Sequence, residues 1–374
     1  MKLALALFRY FPHGGLQRDC LRVAEALARR GHAVTLICGT WQGPQPPGLD
    51  LRVLGRRGGT NHGADAAFAR AALGLARSLR VDAIVGFNRM PGLDICYSAE
   101  NCFKARATEA RSALYRVMPR YRTYCRLEEA VFGRKSRTEL LLLSSNQLES
   151  YRRHYDFDPT RVHLVPPAIM RDRVRASGAA AIRAAVRAEL ALSDEDYALL
   201  ALGSGFRTKG LDRTLQAVAA VPGAVRQRLR LLVVGRGKTG AMGRLARRLG
   251  IGRQVRFLGA RDDVPRLLLG ADLLAHPARD ECTGTAILEA IVAGLPVLST
   301  ANCGYSEHVV RAGAGVVVQE PFDLAAMTRG LAGMLDRQRL ADWSQNGVRY
   351  GQAADLYRGI EVAVDTIERI LRRR

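Results

Sequence analysis

The chain has 374 residues, 48% of them hydrophobic, enough for two packed domains of ordinary size. A net charge of +22, from 57 Lys and Arg against 35 Asp and Glu, points to a polyanionic partner: nucleic acid, an anionic membrane or a phosphorylated glycolipid. No run of ~18 apolar residues occurs, so no transmembrane helix is expected, and seven scattered cysteines without CxxC or Cys/His spacing read as reduced core thiols of a cytosolic protein.

The opening MKLALALFRYFPHGG is too short and too quickly polar for a signal peptide, and residues 3–8 read as a buried strand. A helix over 16–30 closes at Gly31, and 34–38 is the next strand. A short strand at 51–54 precedes a glycine-rich loop over 55–63. A helix to about residue 80 and strands at 82–87, 140–144 and 162–165 follow. Pro166-Pro167 and the polar stretch 171–178 mark a linker. Beyond it the pattern repeats, with strands at 198–202, 231–234, 255–258, 272–275 and 296–299. A last helix over about 353–372 carries Ile360, Val364, Ile367 and Leu371 on one stripe. The alternation predicts an α/β chain of two parallel sheets, with domains at 1–168 and 169–352.

Residues 275–300, AHPARDECTGTAILEAIVAGLPVLST, hold two glutamates eight apart, Glu281 and Glu289. The stretch reads strand, loop, helix, strand. Gly284 opens the helix, apolar spacing continues through Ala286, Ile287, Ala290 and Ile291, and Gly294-Leu295-Pro296 ends it. Glu281 thus falls above the C-terminal end of a strand, where open α/β sheets bind ligands. Carboxylates there can each accept two hydrogen bonds from a vicinal diol, and a nucleotide sugar offers two sets of hydroxyls. A bare pair of solvated helix glutamates would show the same spacing; the flanking HPA, Gly284 and EAIVAGLPV favour the ligand. The backbone N–H groups of Thr283, Gly284 and Thr285 open the same helix and suit a phosphate.

Gly14-Gly15 lies between the first strand and helix, where a ligand can approach the backbone closely. Asp19, one turn on, is either a cleft residue or an ordinary exposed carboxylate. The loop 203–210, GSGFRTKG, lacks Walker spacing but gathers small residues, Arg207 and Lys209 at a strand–helix junction. A departing diphosphate needs such cations and N–H groups. His62, in a loop, fits acceptor contact, and His276 fits a structural or donor-hydroxyl role; neither has triad partners. No metal is expected. The one D-x-D, Asp194-Glu195-Asp196, sits at the wrong end of its strand, and there is no His/Cys ligand set.

Residues 103–126 hold seven basic residues and one acid, with tyrosines interleaved. Lys104, Arg116, Arg120, Tyr121, Arg122, Tyr124 and Arg126 suit docking to an anionic bilayer, and Pro119 argues against one unbroken helix.

The Glu281/Glu289 segment resembles the glutamate pair of retaining glycosyltransferases of family 4, GT-B fold. FPHGGLQRD (11–19), TNHG (60–63), GFNRMPGLD (86–94), VPPAIMRDR (165–173) and ADLLAHPA (271–278) extend the resemblance to the lipopolysaccharide core transferases of the heptose glucosyltransferase I type. The resemblance implies two Rossmann-like domains facing a cleft, an N-terminal acceptor domain completed by the C-terminal helix, and a C-terminal nucleotide-sugar domain. It implies that Glu289 binds the ribose, Glu281 the sugar, and Lys209 and Arg173 the diphosphate. Gly14 and Gly15 fall at the donor site. Arg207 stands one place early for the neighbouring diphosphate arginine, and at Arg261 the backbone pairs with the base. Glu100 stands where a relative carries an aspartate; it either orients the acceptor hydroxyl or merely begins a helix. The expected activity is transfer of a hexose, glucose first, from a UDP-sugar to an inner-core heptose of lipid A–inner core, without metal or other cofactor. The expected place is the cytoplasmic face of the inner membrane, with residues 103–126 docking. Alternatives are a family 4 enzyme acting on a phospholipid or soluble acceptor, and a nucleic-acid binder; no RNP-like or helix-turn-helix motif supports the last.

Overall fold

Alternation along the first strand sets two layers at once. In β1 (Lys2–Tyr10), Leu3, Leu5 and Leu7 join one buried cluster with the helices Gly15–Arg29 and Gly359–Arg372. Ala4 and Ala6, small enough for close approach, join Phe68, Ala69 and Ala72 of the helix Asn61–Ser78 on the other face. The computed structural model describes every residue save His13, Arg111 and Arg374, and of 109, 110 and 113 the backbone alone. His13 of FPHGG and Arg111 of the basic segment therefore lie outside the described residues.

The chain divides into Met1–Ala168 with Arg358–Arg374, and Ile169–Tyr357. The first unit has β1, β2 (Ala33–Trp41), β3 (Asp50–Val53), β4 (Ala83–Gly86), β5 (Ile95–Ser98), β6 (Glu139–Leu142) and β7 (Val162–Leu164). Among the described residues they form one parallel sheet, ordered β3-β2-β1-β4-β5-β6-β7. The second unit has β8 (Tyr197–Leu202), β9 (Leu229–Val234), β10 (Val255–Gly259), β11 (Leu273–His276), β12 (Val297–Thr300) and β13 (Gly315–Val318). These are parallel too, ordered β10-β9-β8-β11-β12-β13. In each sheet the strand order reverses once, between β1 and β4 and between β8 and β11. Those switch points leave a crevice at the strands' C-terminal ends.

Two strands, β5 and β13, go beyond the sequence expectations. The last helix also starts later than expected. Arg337–Ala353 is a separate helix, and Gly359–Arg372 follows a break in which Leu356 enters the second unit's core while Ile360 enters the first's. The polar stretch read as linker belongs to the second unit and holds a 3-10 turn, Arg171–Arg173. Among the described residues no helix is long and apolar enough to cross a membrane.

Candidate functional site

The second unit's switch point is where the sequence signals converge. The β8 loop and the β11 loop flank the crevice, and they are locked together. Gly210 has φ +73°, and a Cβ there would lie 1.9 Å from the Pro277 carbonyl oxygen, so only glycine fits. The Arg279 N–H donates to the Thr208 carbonyl at 2.8 Å. Gly203 leaves room for the stem of Lys209. The Lys209 ammonium then donates to the Glu281 carboxylate.

Glu281 is held by backbone as well. Its carbonyl accepts from Gly304 N–H at 3.1 Å, and Tyr305 N–H donates to the Thr283 carbonyl at 2.7 Å. Beneath it lies His276, 2% exposed, with Nε2 3.5 Å from Glu281 Oε2 and neither ring nitrogen hydrogen-bonded. Burial alone would raise the Glu281 pKa. His276 and Lys209 outweigh it and bring the carboxyl down to about 2.

Gly284, with φ +86°, caps the helix Thr285–Val292 that carries Glu289. Glu289 is buried, and Arg173 Nε stands 3.4 Å from its Oε1. Thus each cation assigned to diphosphate sits beside a carboxylate assigned to hydroxyls. Arg207 is exposed, and among the described residues its side chain makes no hydrogen bond or ion pair; its carbonyl accepts from Arg279. The Arg261 side chain is committed elsewhere, to Asp263 at 2.7 Å and Glu189 at 2.9 Å. Asp196 of the D-x-D is buried 2.9 Å from Arg230, a framework pair. Among the described residues no three His, Cys, Asp or Glu converge as a metal site.

In the first unit, Gly14 caps the helix Gly15–Arg29, and a Cβ at Gly15 would meet open space. Asp19 accepts from the Tyr97 hydroxyl at 3.1 Å, and burial pushes its carboxyl up. Glu100 Oε2 lies 3.2 Å from Arg89. Arg89 also donates to Glu128, fully buried, which accepts from the N–H groups of Phe103 and Lys104 and from the Tyr155 hydroxyl at 2.7 Å. Sequence reading missed both Arg89 and Glu128; an acid just past the arginine-rich run was the available signal. His62 is not in a loop. Thr60 caps the helix Asn61–Ser78, and His62 occupies its first turn.

The basic segment folds as a helix Phe103–Ala110, a 3-10 turn Ala113–Val117 and a helix begun by Pro119. Three of its assigned docking residues are engaged inside the unit. Lys104 donates to the His154 carbonyl, Tyr124 to Asp65 at 2.8 Å, and Tyr121 packs 6.1 Å from Phe103. Arg116, Arg120, Arg122 and Arg126 are exposed. Beside them stand apolar residues the sequence reading passed over: Leu114, 78% exposed, Val117 and Met118.

Two parallel α/β units define the GT-B class of glycosyltransferases. The family described as Glycosyl transferases group 1 matches residues 182–349, and Glycosyltransferase Family 4 matches 13–173. The chain is 37% identical over 368 residues to the lipopolysaccharide glucosyltransferase WaaG of Escherichia coli (strain K12), covering 98% of each. The crystal structure of WaaG, described as a glycosyltransferase involved in lipopolysaccharide biosynthesis, superposes with a TM-score of 0.92 at 36% identity, over 98% of this chain and 99% of that one. HepE of Anabaena, crystallised with UDP and glucose, shares the fold with a TM-score of 0.74 at 17% identity, over 99% of this chain and all of that one. This chain belongs to glycosyltransferase family 4.

Proposed function

We propose that this glycosyltransferase moves glucose from UDP-glucose, with retention, to an inner-core heptose of nascent lipopolysaccharide. The observation that carries the donor half is the pairing at one crevice of Lys209 with Glu281 and, on the neighbouring helix, of Arg173 with Glu289. The acceptor half rests on the likeness to the lipopolysaccharide glucosyltransferase over 98% of both chains. Glu289 holds the ribose and Glu281 the sugar hydroxyls. Lys209 and Arg173 meet the charge that develops on the departing diphosphate, without metal. The incoming hydroxyl attacks from the face the phosphate leaves, and a leaving-phosphate oxygen takes its proton. Gly14 and Gly15 admit the donor, and Glu100, held by Arg89, orients the acceptor hydroxyl. Arg116, Arg120, Arg122 and Arg126, with Leu114, Val117 and Met118, dock the enzyme on the cytoplasmic face of the inner membrane.

The test is UDP release from a panel of UDP-sugars with a heptose-terminated, delipidated acceptor, followed by anomer assignment by NMR. UDP-glucose should turn over fastest and give the retained anomer. Equal inertness of every UDP-sugar, or an inverted product, sinks the reading.

A further inference from the structure

The net charge is not spread evenly. From Arg213 to Arg261 the sequence has twelve Lys and Arg and no Asp or Glu, against +22 for the whole chain. More than half of the excess thus sits in 49 residues of the second unit. Half of those cations are spent on the fold. Arg213 and Arg226 bond backbone carbonyls, as does Arg256, while Arg228, Arg230 and Arg261 pair with acids elsewhere in the unit.

The other six, Arg236, Lys238, Arg244, Arg247, Arg248 and Arg253, are exposed, and among the described residues none makes a side-chain hydrogen bond or ion pair. All six fall between positions 236 and 253. Arg244, Arg247 and Arg248 share one face of the helix Thr239–Arg248 by their i, i+3, i+4 spacing. Of the carboxylates flanking the stretch, Asp212 is taken by Arg279 at 2.6 Å and Asp263 by Arg261 at 2.7 Å, while Asp262 is exposed. Arg247 and Arg253 also line a concavity of about 560 Å³, together with Gly243, Gly250 and Gly252. Gln254 lies in its wall, with a buried Oε1 that has no hydrogen-bond partner among the described residues.

We infer that this face of the second unit is a docking surface for an anionic phospholipid bilayer, separate from residues 103–126. The arginines take headgroup phosphates, and a hydroxylated headgroup such as glycerol can donate to Gln254 Oε1. Charge complementarity calls for a polyanion, and the lack of a stacking platform favours a bilayer over single-stranded nucleic acid. Single strands are held by bases stacking on exposed aromatics, and the only aromatic residue from 213 to 261 is Phe257, half-buried against Phe206 at 6.2 Å.

The inference is read without substrate, so it stands or falls apart from the transfer reaction. The full chain is co-sedimented with vesicles of phosphatidylglycerol and phosphatidylcholine, and with phosphatidylcholine alone, at 50 mM and 500 mM salt. Arg236 and Lys238 are left intact because their loop packs on the donor loop. The variant R244Q/R247Q/R248Q/R253Q should bind the anionic vesicles at least tenfold more weakly at low salt. R244K/R247K/R248K/R253K should keep most of the binding, and UDP affinity should be unchanged in both. Unaltered vesicle binding by the Gln variant overturns the proposal. So does loss in the Lys variant equal to loss in the Gln variant. Duplex RNA that displaces the parent protein from vesicles, and fails to bind the Gln variant, would assign the face to nucleic acid instead.

Discussion

Glu281 stays ionised because His276 and Lys209 oppose its burial. Its folded pKa lies below the ~4.3 of an unfolded glutamate, so it stabilises the fold at every pH above that unfolded value. That contribution is lost as pH falls from about 4 through about 2. Over the neutral range it should not titrate, and no limb of the rate profile between pH 5 and 9 should be lost on changing it. Glu281→Gln should keep a cooperative melt, since the shape is conserved. Its turnover should fall at least tenfold, about 1.4 kcal/mol or more in barrier, and its acid-unfolding midpoint should move; near-parent turnover would remove Glu281 from the chemistry. Lys209→Ala tests the leaving-group side. It deletes a cation expected on the diphosphate, so calorimetric UDP affinity and rate should drop together, each by roughly tenfold or more. UDP binding unchanged by Lys209→Ala would send the β8 loop to another role. These residues were legible because glycines and prolines punctuate the chain around them. Arg89 and Glu128 were not, since a buried pair 39 positions apart leaves no period to read.

At the scale of single elements, the β8 loop is fixed by a glycine, and the basic segment 103–126 is proposed to dock through its exposed arginines. Gly210→Ala puts a Cβ into the Pro277 carbonyl and asks a left-handed φ of alanine, costing about 1–2 kcal/mol for the conformation alone. The loop must shift and carry Lys209 with it. Expected are a melting point several degrees lower and a kcat/KM reduced more than tenfold; a variant that melts lower yet keeps its kcat/KM would uncouple the loop from Lys209. In the first unit, Arg116, Arg120, Arg122 and Arg126 changed together to Gln should weaken binding to anionic vesicles at least tenfold, at ~1 kcal/mol per cation near the surface. Residual binding that resists salt would fall to Leu114, Val117 and Met118. Binding untouched at low salt would remove the segment from the membrane. Strand prediction succeeded where an apolar run was bounded by turn residues, as at β8 and β11. It missed β5, ICYS, because four fully buried residues carry neither alternation nor length. It missed β13, GVVV, another four-residue run, between Ala314 and the turn that leads to cis-Pro321.

For the whole molecule, the two-unit plan was visible in the repeat of strand and helix, with a break at Pro166-Pro167. The end of the chain was harder. One helical pattern runs through 353–372 in the sequence, yet only tertiary packing decides that Leu356 belongs to one core and Ile360 to another. Ile360, Val364, Ile367 and Ile370 of Gly359–Arg372 are buried in the first unit. At 1.5–3 kcal/mol for each such side chain, an upper figure of roughly 6–12 kcal/mol rides on this helix. That matches the net stability of a typical domain. A chain ending at Tyr357 should therefore lose the first unit's cooperative transition in calorimetry while the second unit's persists. Two intact transitions would show that the helix is dispensable.

The same helix sets an order of events during synthesis. The second unit is one uninterrupted stretch, Ile169–Tyr357. Its strands have all left the ribosome before the helix that completes the first unit is made. Domains usually fold in the order in which they emerge. Here the amino-terminal half must wait, with the apolar face of β1 and of Gly15–Arg29 uncovered for the time needed to translate some two hundred further residues, about 10–40 s at ordinary elongation rates. A chain stalled or clipped short of Gly359 would release a finished second unit joined to an adhesive, unfinished first one. Quality control by chaperones and proteases would then sense the last turns of this protein more keenly than its first.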